Sequence, residues 1–471
     1  MHAGWNRQVR AAAAVVAGRA AGALSRRLGR GGGTSMPGLV AQRIYPGIAG
    51  HLGTQLRHGV AVITGTNGKT TTSGLTAGIL RAAGLRVWRN REGANLLRGI
   101  TAALIIRAEP NGRLRRHGNA AAVFEVDEAA FPAVVAALRP GTVAVTNLFR
   151  DQLDRYGEVN TVAEHWRGAL RRLPATTTLV LNADDPAVAA LAGGFSGRVV
   201  YFGVAGAARA GDSGPEVVDT RTCPRCGSVL DFSQRYYSHI GQWACTGCGY
   251  ARPLAAVQAS DVRPRGLDAV QFALTTPLGT RAVTLPLPGL YNVYNALAAA
   301  AIGCAMGVEA SALDALERFH PAFGRAERIA VDGRTVQLLL AKNPTGLNEV
   351  LRALATLEGS QQVLLALNDQ PADGEDVSWI WDADLERVAA IAGAVTVAGT
   401  RAYDLALRLK YAGVAPASVV PDLPSALRAA LAATPQGATL YVVPTYTAML
   451  ALRAELERQG YTTHYWEQRD E

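Results

Sequence analysis

The stretch Val60-Ala61-Val62-Ile63-Thr64-Gly65-Thr66-Asn67-Gly68-Lys69-Thr70-Thr71-Thr72 decides the fold. An apolar run ends in a glycine loop, and a lysine followed by hydroxyls stands where a helix should begin. A strand feeding such a loop and helix holds a nucleoside triphosphate. Gly65 and Gly68 let backbone amides point at phosphate oxygens. Lys69 supplies a point charge near the β- and γ-phosphates, and the Thr70 hydroxyl is placed to ligate Mg²⁺. The spacing G-x-x-G-K-T is two residues shorter than the common G-x-x-x-x-G-K-T. A plain glycine turn before a helix is the alternative, and it leaves the coincidence of strand, loop, lysine and hydroxyls unexplained.

Outward from this loop, apolar runs alternate with helical stretches. Strands are expected at 60–63, 87–88, 121–126, 142–146, 178–181 and 199–202, and helices at 73–83, 128–138, 161–173 and 186–191. The alternation predicts an α/β fold with a mostly parallel, doubly wound sheet. Antiparallel strands follow at 270–274 and 281–285, then a helix from near Asn292 to Met306. Beyond His320-Pro321 the alternation restarts, with strands at 336–340, 363–367, 394–397, 419–420 and 439–443, which predicts a second, smaller α/β domain. A chain of 471 residues needs more than one core. The expected organisation is a basic segment at 1–40, an ATP-binding domain at 41–319 and a C-terminal domain at 320–471.

The formal net charge is +9, carried almost wholly by arginine, since the only lysines are Lys69, Lys342 and Lys410. Such a balance suits nucleic acid, an anionic membrane surface or an anionic substrate, and charge alone does not choose. No stretch is long and apolar enough to cross a bilayer. The first 35 residues carry Arg7, Arg10, Arg19, Arg26, Arg27 and Arg30 among alanines, with no acidic residue. A transit peptide has this look, as does a helix lying on a membrane or on the next domain. The helix is preferred, because no cleavage-like site precedes the domain.

Four of the five cysteines form two C-x-x-C-G knuckles, Cys223/Cys226 and Cys245/Cys248, with 18 residues between them. Two knuckles close a tetrahedral four-thiolate site typical of structural Zn²⁺, here a ribbon inserted at 218–252. Phe232, Tyr236, Tyr237 and Trp243 would form its small core. Disulfides are the alternative, and nothing marks the chain as secreted. Cys304, in an apolar helical context, reads as a buried thiol.

Ligands of such sheets bind at the carboxyl ends of strands. Four further segments lie there: Asn90–Asn95, Phe124–Glu128, Thr146–Gly157 and Leu181–Pro186. Glu125 follows an apolar strand, where a carboxylate can reach a metal on the triphosphate; a helix-start acid is the plainer reading. Asp184-Asp185-Pro186 is also a plausible helix N-terminus, with proline at its first position.

These segments resemble the Mur ligase family, ATP-dependent enzymes that join amino acids to peptidoglycan precursors. The likeness rests on the G-T-N-G-K-T loop, Thr146-Asn147-Leu148-Phe149-Arg150-Asp151, Leu181-Asn182-Ala183-Asp184-Asp185-Pro186, Gly289-Leu290-Tyr291-Asn292-Val293-Tyr294-Asn295-Ala296, Gly324-Arg325-Ala326-Glu327 and Lys342-Asn343-Pro344. It implies a central P-loop ATPase domain followed by a smaller Rossmann-like C-terminal domain. It also implies an ATP site of Gly65, Thr66, Asn67, Gly68, Lys69, Thr70 and Thr71, with Asn292 and Asn295 near the adenine and Arg325 near the phosphates. Thr70 and Glu125 would hold Mg²⁺.

The departures from the family pattern are informative. The phosphate loop arrives by residue 65, where the usual ligases first carry a UDP-binding domain. No lysine lies between Lys69 and Lys342 to be carbamylated, Gln152 follows Asp151 where the family has histidine, and Lys342 replaces the histidine of the usual H-N-P turn. These point away from amino-acid addition to a UDP-linked precursor.

The ribbon, the short front and the acidic, tryptophan-bearing segment 368–382 resemble one subgroup, the synthetase subunits that pair with a glutaminase subunit. That resemblance implies amidation of the D-glutamate α-carboxylate of lipid II at the inner face of the cell membrane. It implies ATP, Mg²⁺ and ammonia from glutamine, in a heterodimer. No glutaminase nucleophile is visible in this chain, so ammonia must come from the partner. Lys69 and Glu125 would serve acyl-phosphate formation. Asp376 would orient the partner's catalytic histidine, with Asp373 as second choice and a surface-loop helix cap as the plain alternative. Two other readings are another Mur-type amide ligase, folylpolyglutamate-like or amino-acid-adding, and a zinc-ribbon ATPase acting on nucleic acid. The ribbon lacks a dense basic patch, which disfavours the last.

Overall fold

Two sheets organise the computed structural model, which describes residues 2–27, 35–90, 93–115, 117–150, 159–206, 220–320 and 325–462. The first contains β1 (Val60–Thr64), β2 (Arg86–Arg89), β3 (Ala120–Glu125), β4 (Thr142–Val145), β5 (Thr178–Asn182) and β6 (Arg198–Val204). A separate hairpin, β7 (Leu230–Tyr237) and β8 (Ile240–Cys245), then interrupts it. The sheet resumes with β9 (Val257–Arg265), β10 (Ala269–Thr276) and β11 (Gly279–Leu285). Its strand order is β11-β10-β9-β6-β5-β4-β1-β3-β2, parallel from β2 through β9 and antiparallel beyond.

Period-two alternation explains why the parallel strands are apolar throughout. Ala61 and Ile63 enter the core on one face, while Val60 and Val62 enter the core on the other. Residues of α1 (His2–Arg27), α2 (Met36–Ile44) and α3 (Ile48–Gly53) pack into the core of the Val60/Val62 face, whereas α4 (Lys69–Ala82) packs on the other. Also on the Val60/Val62 face are α5 (Leu97–Arg107), α6 (Phe131–Leu138), α7 (Val159–Leu170) and the short α8 (Pro186–Ala189). The long α9 (Leu290–Ala305) returns to the α4 side.

The second sheet comprises β12 (Arg325–Val331), β13 (Arg334–Leu339), β14 (Gln361–Ala366), β15 (Ala392–Ala398), β16 (Ser418–Val419) and β17 (Thr439–Pro444). Its order is β12-β13-β17-β14-β15-β16, with only β12 antiparallel to its neighbour. Between these strands run α10 (Pro344–Leu354), α11 (Val388–Ile391), α12 (Ala402–Tyr411) and α13 (Leu423–Ala433), and α14 (Tyr446–Arg458) follows β17.

Every expected strand is present; besides the two strands of the ribbon hairpin, two more were not expected. Along β9 the sequence Asp261-Val-Arg-Pro-Arg265 is polar and largely exposed, so no apolar run announces it. β12 carries charged residues on an edge, the usual device against edge-to-edge pairing. α4 begins four residues earlier than its apolar pattern, at Lys69 itself. α6 begins later, at Phe131, with a proline in its first turn, which leaves Glu128 in the preceding loop.

The basic N-terminal segment forms α1, and its small-residue face packs on the protein. Ala11, Ala14 and Val15 are fully buried beside Ala41, Leu104 and Ile105. A side chain at Gly18 would come within 2.6 Å of the Pro37 carbonyl oxygen. The Arg19 guanidinium donates to the Ala108 carbonyl at 3.1 Å. No described helix is long and apolar enough to cross a membrane.

Candidate active site

A cavity of about 550 Å³ lies between the two sheets, lined by the phosphate loop on one side and by the Lys342-Asn343 turn on the other. Gly65 and Gly68 have φ of +137° and +83°, the region that glycine enters without strain. Space is equally decisive. A Cβ at Gly65 would lie 2.1 Å from the Thr146 hydroxyl, and one at Gly68 would lie 2.0 Å from Asn295 Oδ1. The T-N segment at the end of β4 braces the loop: Thr146 Oγ1 donates to the Asn67 carbonyl at 2.9 Å, and the Asn67 amide donates to Asn147 Oδ1 at 2.8 Å.

Lys69 is buried, and its ammonium is fully engaged. It donates to the Gly65 carbonyl at 2.6 Å, the Thr66 carbonyl at 3.2 Å and Glu128 Oε1 at 2.7 Å. Three donors meet three acceptors. The sequence analysis placed Glu128 at the start of the helix expected at 128–138 and gave it no role in the site. Because α6 starts only at Phe131, Glu128 turns into the cavity instead. Glu125 also lines the cavity, and its backbone is pinned by the Asn90 amide at 2.9 and 3.0 Å. Thr70 and Glu125 both line the cavity, and a hydroxyl and a carboxylate are donor types suited to Mg²⁺.

Asn292 and Asn295 line the cavity through α9. Asn295 packs against Gly68, accepts from Thr72 Oγ1 at 3.3 Å and donates to Asn292 Oδ1 at 3.0 Å, so it braces the loop as well. The Arg325 backbone lies in β12, but its side chain is outside the described residues, as are Arg91, Glu92 and Asp151–Gly157. Asp184 and Asp185 are fully buried. Asp185 caps α8 at Ala187 and Val188 and accepts from the Leu148 amide at 2.9 Å. Asp184 accepts from Arg252 Nε at 2.5 Å and the Tyr294 hydroxyl at 2.6 Å; burial pushes its carboxyl up, against Arg252 and Tyr294.

From the second sheet, Asn343 reaches across. Its amide donates to Asn67 Oδ1 at 3.0 Å and its oxygen faces Asn67 Nδ2 at 3.5 Å, while the same oxygen caps α10 at Gly346. Buried Glu349 also lines the cavity and accepts from Arg352 at 2.9 Å. Burial pushes its carboxyl up to about 8 against the pull of Arg387, and pushes the Arg352 guanidinium down to about 10.

The segment after β14 separates the two aspartates read from the sequence. Asp373 is buried and accepts from the Thr447 amide at 2.8 Å and its hydroxyl at 2.5 Å. It ties the loop to the start of α14, which argues against its role as second choice. Asp376 is exposed, and the Ser378 amide, 2.8 Å away, holds its carboxyl below the ordinary value. Pro371 and Ala372 of the same loop line the cavity.

The four knuckle cysteines converge at the outer end of the β7–β8 hairpin, their sulfurs all within 4.8 Å of one another. The Cys223–Cys248 and Cys226–Cys245 separations are 3.7 and 3.4 Å. A tetrahedron with Zn–S near 2.3 Å has edges of roughly 3.8 Å, so the thiols fit that ion. Cys304 is part-buried, and burial pushes its thiol up, as an inert thiol requires.

Comparison with known proteins gives a consistent picture. Residues 63–222 match the Mur ligase middle domain and residues 340–449 the MurT ligase C-terminal family. The chain is 34% identical over 437 residues to the lipid II isoglutaminyl synthase (glutamine-hydrolyzing) subunit MurT of Staphylococcus aureus strain COL, covering 92% of this chain and 95% of that protein. It is 31% identical to the corresponding subunit of Streptococcus pneumoniae, covering 93% and 95%. Among solved structures it resembles a pseudomurein peptide ligase type C from Methanothermus fervidus, with TM-score 0.65 and 23% identity over 86% of this chain and 79% of that one. MurF from Acinetobacter baumannii gives TM-score 0.65 at 19% identity, covering 89% and 80%. At these identities the structural likenesses speak for the fold alone.

Proposed function

Because this chain belongs to the Mur ligase family as one of its MurT members, we propose that it amidates the D-glutamate α-carboxylate of the lipid II stem peptide, with ammonia from a glutaminase subunit of the GatD kind. Membership makes it an ATP-dependent ligase. The finer reading is carried by one observation. The loop that presents exposed Asp376 also lines, through Pro371 and Ala372, the cavity that holds Lys69. Ammonia released beside Asp376 would have a short way to the phosphate loop.

A carboxylate is a poor electrophile and needs activation. In the proposed reaction its oxygen attacks the γ-phosphorus, and ADP leaves with the electron pair. Ammonia then attacks the acyl carbon, a C–N bond forms, the C–O bond to phosphate breaks, and the nitrogen gives up a proton. The loop amides and Lys69 bind the phosphates, and an incoming phosphate oxygen takes the place of Glu128 on the Lys69 ammonium. Thr70 and Glu125 would hold Mg²⁺, which supplies charge neutralisation when bound. Asn67 and Asn343 join the two sides. Asp376, held ionised, would orient the partner's histidine. The four cysteines would hold a structural Zn²⁺ and leave no open position for catalysis.

The enzyme would work at the cytoplasmic face of the membrane, where its substrate is anchored, with α1 as the contact. α1 exposes Val9, Val16 and Leu24, and Arg7 and Arg27 are exposed on the same helix. Deleting α1 would expose core residues, so substituting Val9, Val16 and Leu24 by Asp is the cleaner test; unchanged vesicle binding removes the idea.

Mass spectrometry of lipid II incubated with the chain and Mg-ATP tests the main reading. The expected result is a loss of about 1 Da, from OH replaced by NH₂, with ammonium alone, and with glutamine only once a glutaminase is added. ATP turnover with an amino acid or folate acceptor and no such loss would replace it with an ordinary ligase.

A further inference from the structure

The inner end of the β7–β8 hairpin does more than close a ribbon. The cysteines occupy its outer end, while Tyr236, Tyr237, Ser238, His239 and Ile240 are buried within the first domain. The hairpin is bolted to the end of β5 and β6: the Trp243 indole donates to the Ala183 carbonyl at 3.1 Å, the Gly241 amide to the Asp184 carbonyl at 2.9 Å, and Gln242 to the Val204 carbonyl at 3.0 Å. At the tip, the His239 ring lies 4.8 Å from the Phe149 ring and the Tyr237 ring 6.0 Å from it. His239 Nε2 approaches Asp185 Oδ2 at 3.4 Å without forming a hydrogen bond. Asp185 in turn holds the Leu148 amide.

Phe149 is the link to the nucleotide loop. Its amide donates to Thr66 Oγ1 at 2.9 Å, and that hydroxyl donates back to the Phe149 carbonyl at 3.1 Å. Thr66 thus sits in a two-bond clasp whose outer jaw is pressed by the hairpin tip. Phe149 and Tyr237 both line the cavity, so the tip is part of its wall.

We propose that the ribbon tip is a positioning element for the phosphate loop, acting through His239 and Tyr237 on Phe149 and hence on Thr66, so that metal loading of the four cysteines sets nucleotide affinity. The proposal rests on the cavity being a nucleotide site. Strands β7 and β8 lead from Cys245 to the tip, and the tip, Phe149 and Thr66 touch in turn, which supplies a physical route for coupling. His239 and Tyr237 are positioning residues, not catalytic ones.

The test uses the full chain and a non-hydrolysable ATP analogue, with bound metal measured on the same samples. His239→Ala should keep its metal content and far-UV circular dichroism, yet weaken analogue binding by roughly three- to thirtyfold, the usual size of coupling along such chains. In steady state, KM for ATP should rise far more than kcat falls. His239→Phe, which keeps a ring against Phe149, should recover part of the loss. If His239→Ala does not fold, Tyr237→Leu removes the second ring from Phe149 and carries the same expectation. Stripping metal from the wild type with a chelator should weaken binding comparably, and Zn²⁺ should restore it. Metal-loaded His239→Ala and Tyr237→Leu that bind the analogue as tightly as wild type would overturn the proposal and leave the ribbon a fold staple. A wild type that binds no analogue would instead overturn the nucleotide reading of the cavity.

Discussion

Lys69 illustrates how a single residue is prepared before its ligand arrives. Its ammonium is held by two loop carbonyls and Glu128, so it points into the cavity at no further ordering cost. Lys69→Ala should abolish ATP-dependent amidation while leaving Glu128 buried without its cation, and thermal unfolding should show a lower Tm together with the lost activity. Glu349 gives a pH signature. Its folded-state value is raised to about 8, so the stability it contributes is full below the ordinary glutamate value and is lost as pH rises through about 8. The Tm of the wild type should fall between pH 5 and 9 by more than that of Glu349→Gln, whose amide can still accept from Arg352. Equal slopes would show that Glu349 is ionised throughout. Glu349 and Glu128 were not legible as cavity residues in the sequence. A carboxylate near a strand end or inside an amphipathic helix looks like a solvated one until its neighbours are placed.

Among the elements, the strand–loop–helix of β1 and α4 was legible in type and order, because apolar run, glycines and lysine constrain one another, although the helix starts four residues before its apolar pattern. Gly68→Ala should cost both stability and nucleotide affinity, since a positive φ and the Asn295 contact act together. Adding Asn295→Ala should recover only part of the loss, because the backbone strain remains; full recovery in an analogue-binding assay would assign everything to the clash. The knuckle spacing announced the ribbon, but not that its tip returns to the cavity, because burial of Tyr237 and His239 depends on β5 and β6, distant in sequence. β9 and β12 escaped notice because polar strands on open faces and edges lack the periodicity that marks buried ones.

For the whole molecule, both sheets could be read from the two runs of alternation, but the contact between them could not. Asn343 reads as part of the Lys342-Asn343-Pro344 turn; that it caps α10 and also meets Asn67, 276 positions away, follows only from the packing. α1 belongs at this scale too. Removing residues 1–27 should lower Tm and promote aggregation even in detergent-free buffer, because Ala11, Ala14 and Val15 complete a core. An unchanged Tm would show that α1 is an appendage. The Asn67–Asn343 joint has one more consequence. It is built from two neutral carboxamides, whereas the grip on a triphosphate is built from a cation and backbone dipoles. Ionic strength should therefore act on one and spare the other: raising salt loosens nucleotide binding and the exposed Arg150–Asp382 and Arg328–Asp268 pairs, while the Asn67–Asn343 bonds persist.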